Sequence, residues 1–211
     1  MAGWQSGLSV YLRDHLTLYL FVSVLFVMGV IFGSLMVNGL SLEQRQDLEN
    51  FLGSFVHASQ GNERDAQALF FDSFGSYFRW IILIFVLGLS VIGLPLILLL
   101  DFLKGVLVGF SVGFLIGQYS WRGIVIALTA IAPQNMVAIP AILIGSVTAL
   151  SFSLHLINNR LLKRKSTIGK PFVAYVSVTV FLLMVMVLAA LFETYVSPVL
   201  LNWTAPYMTS A

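Results

Sequence analysis

Apolar residues fill this chain in long blocks. Five of the blocks contain no Asp, Glu, Lys or Arg: Leu16–Asn38, Trp80–Leu100, Gly105–Trp121, Gly123–Asn159 and Pro171–Phe192. A charge at a bilayer centre costs about 2.5–3.5 kcal/mol, so charge-free blocks are where membrane spans are sought. The 21 residues of Trp80–Leu100 extend about 32 Å as a helix, enough for a hydrocarbon core of about 30 Å. The fourth block is broken by Pro133 and Pro140, and its 37 residues fall short of the roughly 40 plus a turn that two crossings need. Gly123–Ala132 is therefore predicted as an interfacial or re-entrant half-helix, and Met136 to about Ile157 as a full span. The first block resembles a signal sequence behind Arg13, but it is too long and no small-residue cleavage site follows Asn38. It is expected to stay as an uncleaved span.

Between the first two spans the pattern changes. Ser41-Leu42-Glu43-Gln44 reads as a capping box, with Ser41 at the N-cap and Gln44 reaching back. Leu48, Phe51, Leu52, Phe55 and Val56 follow at helical spacing. A polar break at Ser59–Asp65 precedes a second, aromatic stripe of Ala66, Phe70, Phe71, Phe74 and Phe78. The prediction is a helical hairpin outside the membrane or on its surface. Its stripes either pack on each other and on the lipid interface, or Phe51, Phe55, Phe70 and Phe74 form a docking surface for an extracytoplasmic partner. About 40 residues are too few for an enzyme by themselves. The uncharged tail from Thr194 carries Tyr195, Trp203 and Tyr207, which suits a helix on the outer leaflet.

The expected fold is all-α: a polytopic helical membrane protein of five transmembrane helices, a half-helix and an external helical hairpin. Residues 1–211 form one integral membrane domain, with an extracytoplasmic helical loop at 41–79 and a basic cytoplasmic loop at 158–170. Composition agrees. Of 211 residues 59% are hydrophobic and 9% charged, against about 25% charged in a soluble domain, which excludes disorder, nucleic-acid binding and an ordinary water-soluble enzyme. Mean hydropathy is +0.96. With no Cys, disulfides and thiolate chemistry are excluded.

Charge sets the expected orientation. Arg160, Lys163, Arg164, Lys165 and Lys170 crowd one loop without an acid, which places that loop inside. The N-terminus and a short turn at Asp101–Lys104 then lie inside, and the hairpin, Trp121–Asn135 and the tail outside. Seven Lys/Arg (13, 104, 160, 163, 164, 165, 170) fall inside and four (45, 64, 79, 122) outside. Beyond fixing topology, the basic loop has anionic lipid as a natural partner.

Small residues mark packing faces. Gly105, Gly109, Gly113 and Gly117 repeat every fourth position, and Ala141, Gly145, Ala149 and Ser153 do so in the next span. Gly29 and Gly33 lie in the first span, and Gly88, Ser90 and Gly93 precede a kink expected at Pro95. Small residues let helix backbones approach where lipid removes the hydrophobic drive to associate. Packing of the third span on the fourth is expected; a homo-oligomer face or a moving joint is the alternative.

Few groups offer chemistry. Asp101 and Lys104, three apart at the inner turn, either pair on one helical face or, as the plainer reading, serve as a snorkelling anchor. Glu193 near the end of the last span has Arg122 or Arg79 as candidate partners. His155 suits an interfacial hydrogen bond. On this reading no acid lies mid-span, which argues against proton or sodium coupling. Pro133, Gln134 and Asn135 form the most informative break, either capping helix ends or touching a partner. No HExxH, GxSxG, Walker A or paired His occurs, and no nucleophile, base and orienting group assemble. No catalytic residue, cofactor or metal is expected.

The segments Gly75–Pro95, Phe102–Phe114, Ala132–Pro140, Ser151–Leu154 and Gly29–Gly33 together resemble the stage II sporulation protein M family, in order and spacing over nearly the whole chain. The broad family tends to carry Pro-His-Gly-x-x-Glu at the break. Here Pro133 stays, but Gln134, Asn135 and Ala138 stand in the other places, so no role for that His and Glu carries over. Pro-Gln-Asn looks like the sporulation branch. The resemblance implies a non-catalytic anchor for two septal peptidoglycan hydrolases, sporulation proteins D and P, during forespore engulfment in the mother-cell membrane. A transport component with a separate energy-supplying partner at Asn158–Lys170 is the alternative.

Overall fold

The computed structural model describes residues 2–50, 66–161 and 169–196. Phe51, Phe55, the centre of the basic loop and the tail beyond 196 lie outside the described residues. Helix α1 (Ala2–Met36) ends in a 3-10 turn at Val37–Gly39, and α2 covers residues 42–50. Then come α3 (Ala66–Gly88), α4 (Gly93–Tyr119), α5 (Trp121–Ile126), a π-helical turn at Ala127–Ile131, α6 (Ala132–Leu161) and α7 (Gly169–Tyr195). Five stretches are long and apolar enough to cross a membrane: Leu16–Gly39, Gln67–Gly88, Gly93–Tyr119, Ala132–Ile157 and Gly169–Tyr195. The chain is a polytopic helical membrane protein, and every described element is helix or turn.

The capping box forms as the sequence dictates. Ser41 N–H donates to Gln44 Oε1 at 3.0 Å, and Gln44 N–H donates to Ser41 Oγ at 3.3 Å. Two orphan donors at the start of α2 are thereby satisfied.

The second span departs from expectation. The apolar run Trp80–Leu100 is not one helix: it is broken at residues 89–92, with Ser90 N–H donating to the Leu87 carbonyl and Gly93 N–H to the Ser90 carbonyl. A Cβ on Gly93 would collide with the Leu87 carbonyl, so only glycine lets the chain reverse this tightly. Pro95 does not kink a helix. It falls in the first turn of α4, where its missing N–H has no intrahelical partner to lose. The apolar helix that serves as the second span begins at Gln67, so the aromatic stripe is the N-terminal half of that span and not a separate arm of a hairpin. The expected turn at Asp101–Lys104 lies inside α4.

The predicted half-helix runs on into a span. Trp121–Ile126 continues through the π-helical turn into α6, and Pro133-Gln134-Asn135 lie within α6. Pro133 has no N–H for the carbonyl four residues back, and the widened turn absorbs that gap. Asn135 Nδ2 donates to the Ile131 carbonyl at 2.8 Å. The sharp reversal comes earlier, at Ser120 (φ 53°, ψ −130°).

Neighbouring contacts fix the helix directions. Gly29 lies against Phe102 and Gly105, Gly109 against Val30, and Gly113 against Ser34, so α1 and α4 run parallel. Ile81 lies near Gly145, and Gly88 lies near Ala149. Ser153 Oγ donates to the Ser90 carbonyl at 2.9 Å, so α3 and α6 also run parallel. Tyr175 stacks on Phe85 and Phe152 at 5.0 and 4.8 Å, and Tyr77 bonds Glu193, which sets α7 against both. Alternation of this kind is what five successive crossings require. Helix α6 is central: 61% of its span is buried, against 17–28% for the others.

The glycine stripe of α4 packs on α1, not on α6 as expected. A Cβ on Gly105 or Gly109 would strike the backbone of Phe26 or Val30, and one on Gly29 or Gly33 would strike the backbone of α4. Gly117, at the open end, has only Val37 Cγ1 at 3.8 Å. Gly145 faces the Leu182 side chain at 3.2 Å, and Ala149 packs on Gly88. A four-residue period names a face but not the helix that fills it.

Candidate functional site

Asp101 is the outstanding polar residue. Eight residues from the start of α4 place it about 12 Å into the span, and it is 1% exposed. Its Oδ1 accepts a hydrogen bond from Ser146 Oγ at 2.7 Å. Its Oδ2 is buried with no hydrogen-bond partner. Ser146, on the central helix, is itself fully buried. This overturns the expectation that no acid lies within a span, and with it the argument drawn from that absence against ion coupling. An acid at such depth is costly and marks a functional candidate.

Asp101 and Lys104 do not pair. Asp101 turns to α6, whereas Lys104 Nζ sits 5.5 Å from the ring centroid of Trp80 on α3, a cation–π arrangement. Glu193 accepts a hydrogen bond from Tyr77 Oη at 2.8 Å, a partner that the sequence reading did not name. Tyr77 thus ties α3 to α7 through Glu193, and Trp80 ties it to α4 through Lys104. The signal for Asp101 was present in the sequence: Gly88, Ser90 and Gly93 inside an apolar run, followed by Pro95, are turn and helix-start residues.

Pro133, Gln134 and Asn135 are half-buried beside an apolar groove of about 540 Å³ between α4 and the α5–α6 segment. Val108, Val112 and Ile116 line one wall, and Ile131, Asn135, Met136 and Pro140 the other. Ala138, where the broad family tends to carry Glu, is fully buried in the core.

The aromatic stripe divides between two faces. Phe70 and Phe74 stack at 5.9 Å and pack against the core. Phe71 and Phe78 are the exposed members, at 68% and 41%. Of the four proposed docking aromatics, Phe70 and Phe74 are therefore largely spent on packing, and Phe51 and Phe55 lie outside the described residues. Among the described residues no three of His, Asp or Glu gather as a metal site.

The sequence profile of a family described as stage II sporulation protein M matches residues 22–198. No curated protein and no solved structure shows a significant match.

Proposed function

The chain belongs to the stage II sporulation protein M family, and from that membership we propose that it is a non-catalytic membrane anchor for septal peptidoglycan hydrolases. The partners are sporulation proteins D and P, and the setting is the engulfing mother-cell membrane. That the chain is a sporulation-related membrane protein follows from the family; the anchoring role is the finer reading. The observation that carries it is the exposed edge of α3 at Phe71, 68% exposed within the first turns of the span, on the end of the bundle opposite the basic loop. Placing the N-terminus inside and the C-terminus outside puts this edge on the wall side. Removing Lys104, Arg79 and Lys170, which lie within spans, from the loop tally leaves five Lys/Arg inside (13, 160, 163, 164, 165) and three outside (45, 64, 122). The bias keeps its direction.

A second reading, a transport component, gains support from Asp101 in the membrane interior. Photocrosslinking in sporulating cells separates the two. Probes go at Phe71, which is exposed where Phe70 is half-buried, and at Arg164 in the basic loop. Capture of wall hydrolases at Phe71 alone supports the anchor. Capture of a nucleotide-hydrolysing protein at Arg164, with nothing at Phe71, supports transport and defeats the anchor.

A further inference from the structure

We propose that Asp101 and Ser146 form a proton-binding site inside the membrane, on the seam between α4 and α6. The inference goes beyond the anchoring role and holds whichever partner the outer face takes. It rests on geometry. Asp101 is buried at 1% exposure and Ser146 at 0%. One carboxylate oxygen meets the serine hydroxyl at 2.7 Å, and the other meets no donor. Among the described side chains, the titratable groups on the elements packed against α4 are Tyr19 of α1, Asp72, Tyr77 and Arg79 of α3, Arg122 of α5 and His155 of α6; Tyr11, Arg13, Asp14 and His15 lie toward the start of α1, and Arg160 at the end of α6. Lys104 and Tyr119 lie on α4 itself. None of them donates to Oδ2.

An ionised carboxylate buried with one neutral donor and one bare oxygen is uncompensated, and a group so placed is made neutral by taking up a proton. A metal cation needs several oxygen ligands, and this site offers one carboxyl and one hydroxyl. A proton needs only the carboxyl. The balance is simple: carboxylate plus proton gives carboxylic acid. In the acid, Oδ1–H donates to Ser146 Oγ across the same 2.7 Å contact, and Oδ2 is left as a neutral carbonyl, the form for which a missing donor costs least.

Ser153 lies seven residues along α6 from Ser146, on the same face, and its hydroxyl reaches the Ser90 carbonyl in the α3–α4 turn at 2.9 Å. Ala149 packs on Gly88 between the two serines, so the seam is closed here and the carboxyl is held away from that end of the bundle.

The test is infrared spectroscopy of the full-length protein in liposomes across a pH series, for wild type, Asp101→Asn and Ser146→Ala. The expected result is a carboxylic-acid carbonyl band that titrates with pH, is lost in Asp101→Asn, and shifts in frequency in Ser146→Ala. The serine variant keeps the carboxyl, so it assigns the band even if Asp101→Asn fails to fold. The proposal is overturned if no titrating acid band responds to either substitution. It is equally overturned if sodium at fixed pH, rather than pH itself, moves the Asp101 signal.

Discussion

Replacing Gly109 by Ala tests the packing of α1 on α4 with the smallest perturbation available. The added methyl would lie 2.6 Å from the Val30 carbonyl carbon and 2.7 Å from its Cα. Both atoms are backbone, so no rotamer change relieves the contact. Restoring an ordinary 3.4 Å separation from 2.6 Å needs 0.8 Å for the carbonyl carbon alone, and the Val30 carbonyl oxygen lies closer still, so the helices must part by at least that much. A gap of about 0.5–1 Å forfeits a quarter to a half of each dispersion well; over some forty atom pairs of ~0.15 kcal/mol the seam loses about 2 kcal/mol. That agrees with the roughly 1–3 kcal/mol of overpacked cores. Alanine also favours a helix over glycine by about 1 kcal/mol, so the control is Gly117→Ala, which gains the same propensity but meets only Val37 Cγ1 at 3.8 Å. Unfolding in mixed micelles titrated with SDS gives both stabilities. Gly109→Ala should fall below Gly117→Ala by about 2 kcal/mol. Equal stabilities, within about 0.5 kcal/mol, the usual spread for a surface change, would refute the close approach of the two helices.

Other substitutions probe single features. Ser41→Ala removes the 3.3 Å cap bond and should cost about 1 kcal/mol locally. It would be seen as faster amide exchange in residues 42–50 with the spans unaffected. Tyr175→Phe deletes the hydroxyl that donates to the Phe85 carbonyl at 2.9 Å near the end of α3, and should lower stability by about 0.5–1.5 kcal/mol in the same SDS titration. Ser120→Gly relieves the φ of 53° and should raise stability by up to about 1 kcal/mol, since strain there is of order 1–3 kcal/mol and glycine entropy offsets part of it; a loss would show that the Ser120 side chain matters more than its backbone.

Element type was legible in this sequence far better than element partnership. Charge-free length found the number of spans, because burying charge in lipid is costly enough to leave a clear mark. The Ser41–Gln44 cap was readable because its two hydrogen bonds are local. The second span was misplaced because hydropathy cannot see a tight turn made of apolar residues: Leu89, Val91 and Ile92 read as helix to any window. That one error moved Asp101 from an interface to the interior and hid the polar site. The Gly105–Gly117 stripe was visible, but its partner α1 was not, since spacing on one helix carries no information about which helix answers it. Ser146 gave no signal at all, because a serine in an apolar span acquires meaning only from the carboxyl opposite.

The anchoring claim is tested most directly by imaging a tagged septal wall hydrolase in sporulating cells, with this chain present, absent, or carrying Phe71→Ser. The account predicts that the hydrolase concentrates at the septum with the intact chain and disperses without it. In the Phe71→Ser cells, where the chain still accumulates in the membrane, it should disperse as well. A hydrolase that stays at the septum in cells lacking the chain would contradict it.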